Sequence, residues 1–134
     1  MTLPPSGRPL LIATFVLIDV HILGGFLAVA SDVNTWGEAW GSQALLAAPW
    51  PMIVAQLVLG WLAARNVRPP VGLLAAVLLG LACLVSVVSG FFDGGLANDA
   101  LPPGLVGWQI LLLAVTMVVG LLAIARARQL RRGT

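Results

Sequence analysis

Asp19 and His21 stand two apart in the apolar run FVLIDVHILGG, and His21 is the single histidine of this 134-residue chain. A carboxylate beside an imidazole is a familiar pairing for proton transfer. Helix geometry opposes that use here. At 3.6 residues per turn, positions two apart diverge by about 200°, so the side chains leave on nearly opposite faces. An ionised carboxylate at mid-membrane costs at least about 2.5–3.5 kcal/mol, so such a group calls for protein rather than lipid around it. The expectation is a helix contacted on two sides, by its own fold and by a second chain. Gly24 and Gly25 next to His21 point to a close contact there, whereas Asp19 follows the bulkier line of Phe15 and Phe26.

Other chemistry is thinly supplied. One cysteine, Cys83, excludes an internal disulfide and a thiolate metal cage. A single histidine cannot build a metal site, nor bis-histidine haem ligation within one chain. His21 could ligate haem with Met52, with Met117 or with His21 of a second copy, or meet a quinone; no cofactor is otherwise implied. No phosphate-binding loop, nucleophile elbow or HExxH motif is present. The arginines lie beside apolar segments and suggest no nucleic-acid surface.

Two further polar residues, Gln56 and Thr116, fall inside apolar segments. At about 1.5 Å of rise per residue, Asp19 and Thr116 each lie roughly 18 Å from the outer ends of their segments. Gln56 joins that level only if its helix starts near residue 44. A polar layer near the midplane can mark a substrate or proton path, or be structural hydrogen bonding.

These residues need elements to position them. Charged residues make up 9% of the chain, against about 25% in soluble domains, and the mean hydropathy is +1.03. A water-soluble fold would have too few polar residues to cover itself. The composition implies an all-α integral membrane protein, a single domain over 1–134 forming a four-helix transmembrane bundle. Spans are expected at about 10–30, 44–64, 71–92 and 104–125, followed by a basic cytoplasmic tail, 126–134. The second is interrupted by Pro49-Trp50-Pro51. Its helix could instead start at Pro49, leaving NTWGEAWGSQALLAA along the membrane surface with Trp36 and Trp40 on one face. Ala28-Val29-Ala30 before Ser31 resembles a signal-peptidase site, but Asp19 and His21 break the apolar core ahead of it, so an uncleaved first span is expected.

Within lipid, helices associate through small residues and a few hydrogen bonds. Gly24, Gly25, Gly60, Ser86, Gly90 and Gly120 are the expected packing positions, with Ala82 on the Ser86–Gly90 line. All seven basic residues are arginines, and they fall in the N-terminus, the second connection and the C-terminal tail. The first and third connections hold only the acids Asp32, Glu38, Asp93 and Asp99. The positive-inside rule then places both termini in the cytoplasm. Trp36, Trp40, Trp50 and Trp108 gather at the outer interface, and Trp61 marks the inner side. Arginine without lysine, in an alanine- and leucine-rich chain, is a bacterial habit, which suggests the inner membrane.

The functional expectation is a non-enzymatic subunit acting through helix–helix contacts with itself or a larger membrane complex. The alternatives are a small homo-oligomeric transporter or channel using Asp19, and a haem- or quinone-binding protein using His21.

Overall fold

The computed structural model describes residues 2–92, 96 and 98–133. The described residues form four α-helices and no strand: α1 (Arg8–Ala30), α2 (Trp50–Ala64), α3 (Val71–Phe92) and α4 (Val106–Arg132). Short 3₁₀ turns, Pro5–Gly7 and Pro103–Leu105, lead into α1 and α4. Proline sits in the first turn of α1 and α2, where its missing N–H costs nothing and its fixed φ favours the helix. At 1.5 Å per residue, α1, α3 and α4 reach about 33–40 Å, enough for a bilayer core of about 30 Å. Among the described residues they are the three helices long and apolar enough to cross a membrane.

Helix α2 is shorter than expected. It begins at Trp50 rather than near residue 44 because Pro49 takes an extended conformation and Pro51 fixes the first turn. Its 15 residues span only about 22 Å. The alternative start at Pro49 agrees with this helix, whose N-cap is Pro49, but the segment before it is not an interfacial helix. Residues 31–49 form turns that fold back against α1, burying Ala39, Leu46, Ala47 and Ala48. The loop is held by its own polar groups. Asn34 donates to the Gln43 carbonyl at 3.1 Å and accepts from the Leu45 N–H at 3.2 Å. Glu38 accepts from the Thr35 N–H at 2.9 Å, and that bond holds its carboxyl below the usual carboxylate range.

At the opposite end, α4 runs to Arg132, seven residues past the expected limit of 125. Arginine is a good helix former, and Arg131 and Arg132 in the last turn complement the negative end of the helix dipole. The basic tail is therefore mostly helix.

Helices α1 and α3 both lie against α2 and α4, and α2 and α4 make a smaller contact with each other. Leu10, Leu17, Leu79, Cys83 and Val119 fill the shared core with almost no exposure. Gly60 lets α2 approach Thr14 of α1, where a Cβ would come within 2.6 Å of the threonine side chain. Gly90 sits against Leu113, and Gly120 against Cys83. Ala82 departs from the expected seam: it is exposed, and Ser86 is half-buried. The packed line of α3 runs instead through Ala75, Ala76, Leu79, Cys83 and Val87. The exterior is apolar as well, with Ile12, Leu78, Val85, Phe92 and Leu121 all exposed. In water this surface would be an aggregation liability, whereas hydrocarbon is indifferent to it.

Candidate functional site: a polar cavity between the helices

Burial separates the two polar residues of α1. His21 is 3% exposed and faces the other helices, whereas Asp19 is exposed on the opposite side. Asp19 makes no hydrogen bond or ion pair among the described residues. It lies in an outward stripe of Ile12, Val16, Leu23 and Phe26, spaced alternately four and three residues apart. Asp93, the acid expected in the third connection, lies outside the described residues.

The contact at His21 is with the folded-back loop as well as with Gln56 of α2. The Ala48 N–H donates to His21 Nδ1 at 3.0 Å, and Trp40 Nε1 donates to the His21 carbonyl at 3.0 Å. Because Nδ1 accepts, the hydrogen of the neutral ring sits on Nε2. Gly25 makes room for the Trp40 indole, and Gly24 for the Leu46 carbonyl. Trp40 also packs against Phe26 and Trp50, with centroids at 5.3 and 5.6 Å, and Trp36 joins at 6.2 Å. Three of the expected interfacial tryptophans thus form one aromatic cluster, of which Trp40 meets His21. Trp108 is half-buried between α1 and the outer connections, its indole nitrogen next to Gly24.

His21 Nε2, on the far side of the ring from Ala48, is buried and makes no hydrogen bond of good geometry, though the imidazole interacts with the Gln56 side chain. His21 lines a cavity of about 210 Å³ to which every helix contributes. Gln56 of α2, Ser86 and Ser89 of α3, and Gln109 and Thr116 of α4 supply its polar wall. The Gln56 side chain lies beside the imidazole. Yet Gln56 Oε1 and Gln109 Oε1 are buried without a hydrogen bond. These two atoms and His21 Nε2 are shut off from the cavity's open space, and the contact between the Gln56 side chain and the imidazole compensates the burial of Nε2 and the Gln56 oxygen. The Thr116 hydroxyl is already committed to the Leu112 carbonyl at 2.7 Å.

The structure therefore brings His21, Gln56 and Thr116 together and leaves Asp19 out. Gln56 reaches this level although α2 starts at Trp50, because the loop occupies the outermost part of the layer. Gln109 was not among the sequence candidates. Its signal was present: it precedes Thr116 by seven residues, two turns along the same face. Neighbouring Trp108 made it read as part of the interface.

A second polar cluster closes the arginine-bearing end. Arg126 is 5% exposed. Its Nε donates to the Ala63 carbonyl at 3.1 Å, and its terminal nitrogens donate to Ser6 Oγ at 2.7 Å and Asn66 Oδ1 at 3.3 Å. Nearby, Arg65 stacks 3.5 Å over the Trp61 ring.

Among the described residues no group of three or more His, Cys, Asp or Glu could hold a metal. The two methionines suggested as haem partners of His21 lie apart. Met52 lines the cavity, but Met117 belongs to an outer groove with Phe91. A cavity of about 210 Å³ is below the ~300–1,000 Å³ of ordinary cofactor pockets, so a porphyrin does not fit it. No protein-family model, curated protein or solved structure matches the chain.

Proposed function

We propose that the protein is a four-helix transmembrane bundle of a bacterial inner membrane, with both termini cytoplasmic. In this reading it is a non-enzymatic subunit that docks on a larger membrane protein through the outward face of α1. One observation carries it: Asp19 stands exposed and unpaired in the middle of an apolar stripe. The alternate four-and-three spacing of Ile12, Val16, Asp19, Leu23 and Phe26 suits a packed neighbouring helix. A second copy laid on this face by two-fold symmetry would set Asp19 against Asp19, two carboxyls that can pair only by sharing a proton, with no other donor on the stripe. A partner helix with a basic or hydrogen-bond-donating residue at matching depth meets the acid better.

Native mass spectrometry after gentle extraction from the host membrane tests this. The wild-type chain is expected to carry a stoichiometric larger partner. The Asp19→Leu variant should lose it while keeping its own melting temperature, because the side chain holds nothing within the monomer. A bare monomer or homo-oligomer, or a partner retained by Asp19→Leu, would overturn the reading.

A further inference from the structure

Charge at the arginine pole is not balanced within the chain. All seven arginines gather where α1 starts and where α2 and α4 end, and no acidic side chain among the described residues lies there. Arg126 is bonded only to neutral oxygens, those of Ser6, Ala63, Asn66 and Gln129. Arg68, exposed in the connection between α2 and α3, has no side-chain partner among the described residues. Such a pole attracts anions, and beside apolar helices the nearest supply is the phosphates of a membrane leaflet.

A groove at the same pole narrows the class. It measures about 380 Å³ and is lined by Val67, Pro69, Pro70, Gly72, Leu73 and Leu130, with no polar side chain. One wall is the connection that carries Arg68, between Val67 and Pro69. The other is the last part of α4, where Leu130 precedes the exposed Arg131. Depth matters as well. Leu73 stands in the first turn of α3, and Leu130 lies about 7–8 Å past residue 125, where the apolar run of α4 ends. In the membrane placement proposed above, the groove therefore sits where hydrocarbon gives way to headgroups. A small inorganic anion there would leave the apolar walls uncovered. A neutral lipid would leave the arginines without a counter-charge. A molecule that carries an apolar chain next to an anionic phosphate answers both.

We propose that this groove holds one anionic phospholipid of the cytoplasmic leaflet. The upper part of an acyl chain lies along Leu73 and Leu130. The phosphodiester meets the Arg68 guanidinium, whose planar fork of donors suits phosphate oxygens. The site shares the membrane placement with the docking reading but does not involve Asp19.

Native mass spectrometry of the purified chain in detergent counts bound lipid directly. Titration with dioleoyl phosphatidylglycerol should show one lipid that saturates before others add. Dioleoyl phosphatidylethanolamine, with the same tails and no net charge, should bind more weakly. Arg68→Gln should weaken the first site about five-fold, the effect of one basic side chain beside an anionic headgroup. Arg8→Gln removes the same charge from the same pole, but on α1, across the bundle from α3, and should weaken it by under about two-fold because salt screens the distance. Both arginines are exposed, so both variants should keep the wild-type melting temperature. Glycerophosphoglycerol, the same headgroup without tails, should fail to displace the lipid. Asp19→Leu should leave the titration unchanged, which separates failure here from failure of the docking face. Equal losses in the two arginine variants would reduce the binding to diffuse attraction by the pole. Equal affinity for the zwitterionic lipid, displacement by the bare headgroup, or no saturable first lipid would each overturn the proposal.

Discussion

At the scale of single residues, two kinds of polar group inside this apolar chain differ in legibility. The divergence of Asp19 and His21 follows from 3.6 residues per turn and could be read directly from FVLIDVHILGG. Which of them faced inward could not, because the choice depends on where Trp40 and Ala48 arrive, and they come from a loop whose path no periodicity encodes. Arg126 was hidden for a different reason. An arginine at a cytoplasmic helix end already has an explanation in topology, so nothing in sequence distinguishes one that also builds structure. The fold gives it that second role: its guanidinium ties the end of α2 to the N-terminal turn and to Asn66. Hydrogen bonds from a charged donor contribute about 1.5–3 kcal/mol each, less where the group meets water. Arg126→Ala is expected to cost about 2–4 kcal/mol in all, while Arg128→Ala, at an exposed neighbour, should cost under about 0.5 kcal/mol. Thermal unfolding in detergent compares the two. Arg126→Lys should recover only part of the loss, since an ammonium keeps the charge but not the planar fork. Equal melting temperatures for the two alanine variants would reduce Arg126 to a topology signal.

At the scale of elements, the span most affected by proline departed most from expectation. The helices α1 and α3 end where their apolar runs end, at Ala30 and Phe92. The run ALLAAPWPMIVAQ reads as one apolar segment, but Pro49 and Pro51 divide it into loop and helix. Non-helical backbone within a bilayer is tolerated only where protein covers it. The loop meets that condition by laying the Leu46 carbonyl on Gly24 and the Trp40 ring on Gly25. The two glycines were legible as sites of close approach, but their partner was not, because small residues serve a loop and a helix equally well. Gly24 gives the sharper test. A Cβ there would run into the Leu46 backbone, which cannot swing aside as a side chain can, whereas a Cβ on Gly107 meets nothing within 4 Å. Gly24→Ala should therefore dislodge the loop and lower the melting temperature, with a change in tryptophan fluorescence as Trp40 leaves Gly25. Gly107→Ala lies in α4, where alanine is the better helix former by about 1 kcal/mol, and should be neutral or stabilising. A Gly24→Ala variant as stable as Gly107→Ala would mean that the loop does not hold this position.

At the scale of the whole molecule, charge is segregated by end. Arg126 touches Ser6, Ala63 and Asn66, so the start of α1, the end of α2 and the end of α4 share one pole, and Arg8, Arg65, Arg68, Arg128, Arg131 and Arg132 follow in adjoining sequence. Asp32, Glu38 and Asp99 lie in the connections at the other pole. An apolar band joins the two poles. The same segregation was visible along the sequence, because the connections alternate in sign and each apolar run reverses direction. The fold adds that α2 alone is too short, so its layer is completed by the loop that supports His21. If the chain sits in the membrane with its arginines in the cytoplasm, accessibility must follow the poles. Cys83 is fully buried, so the native chain supplies a silent background for thiol labelling. A membrane-impermeant maleimide applied to intact cells should modify the Ser42→Cys variant, whose position is exposed in the acidic pole's loop. The Gly133→Cys variant, beyond the end of α4, should react only after permeabilisation. The reverse pattern would invert the orientation. Labelling of both variants in intact cells would put both poles on one side and remove the transmembrane reading itself, and with it the need for Asp19 to find a partner.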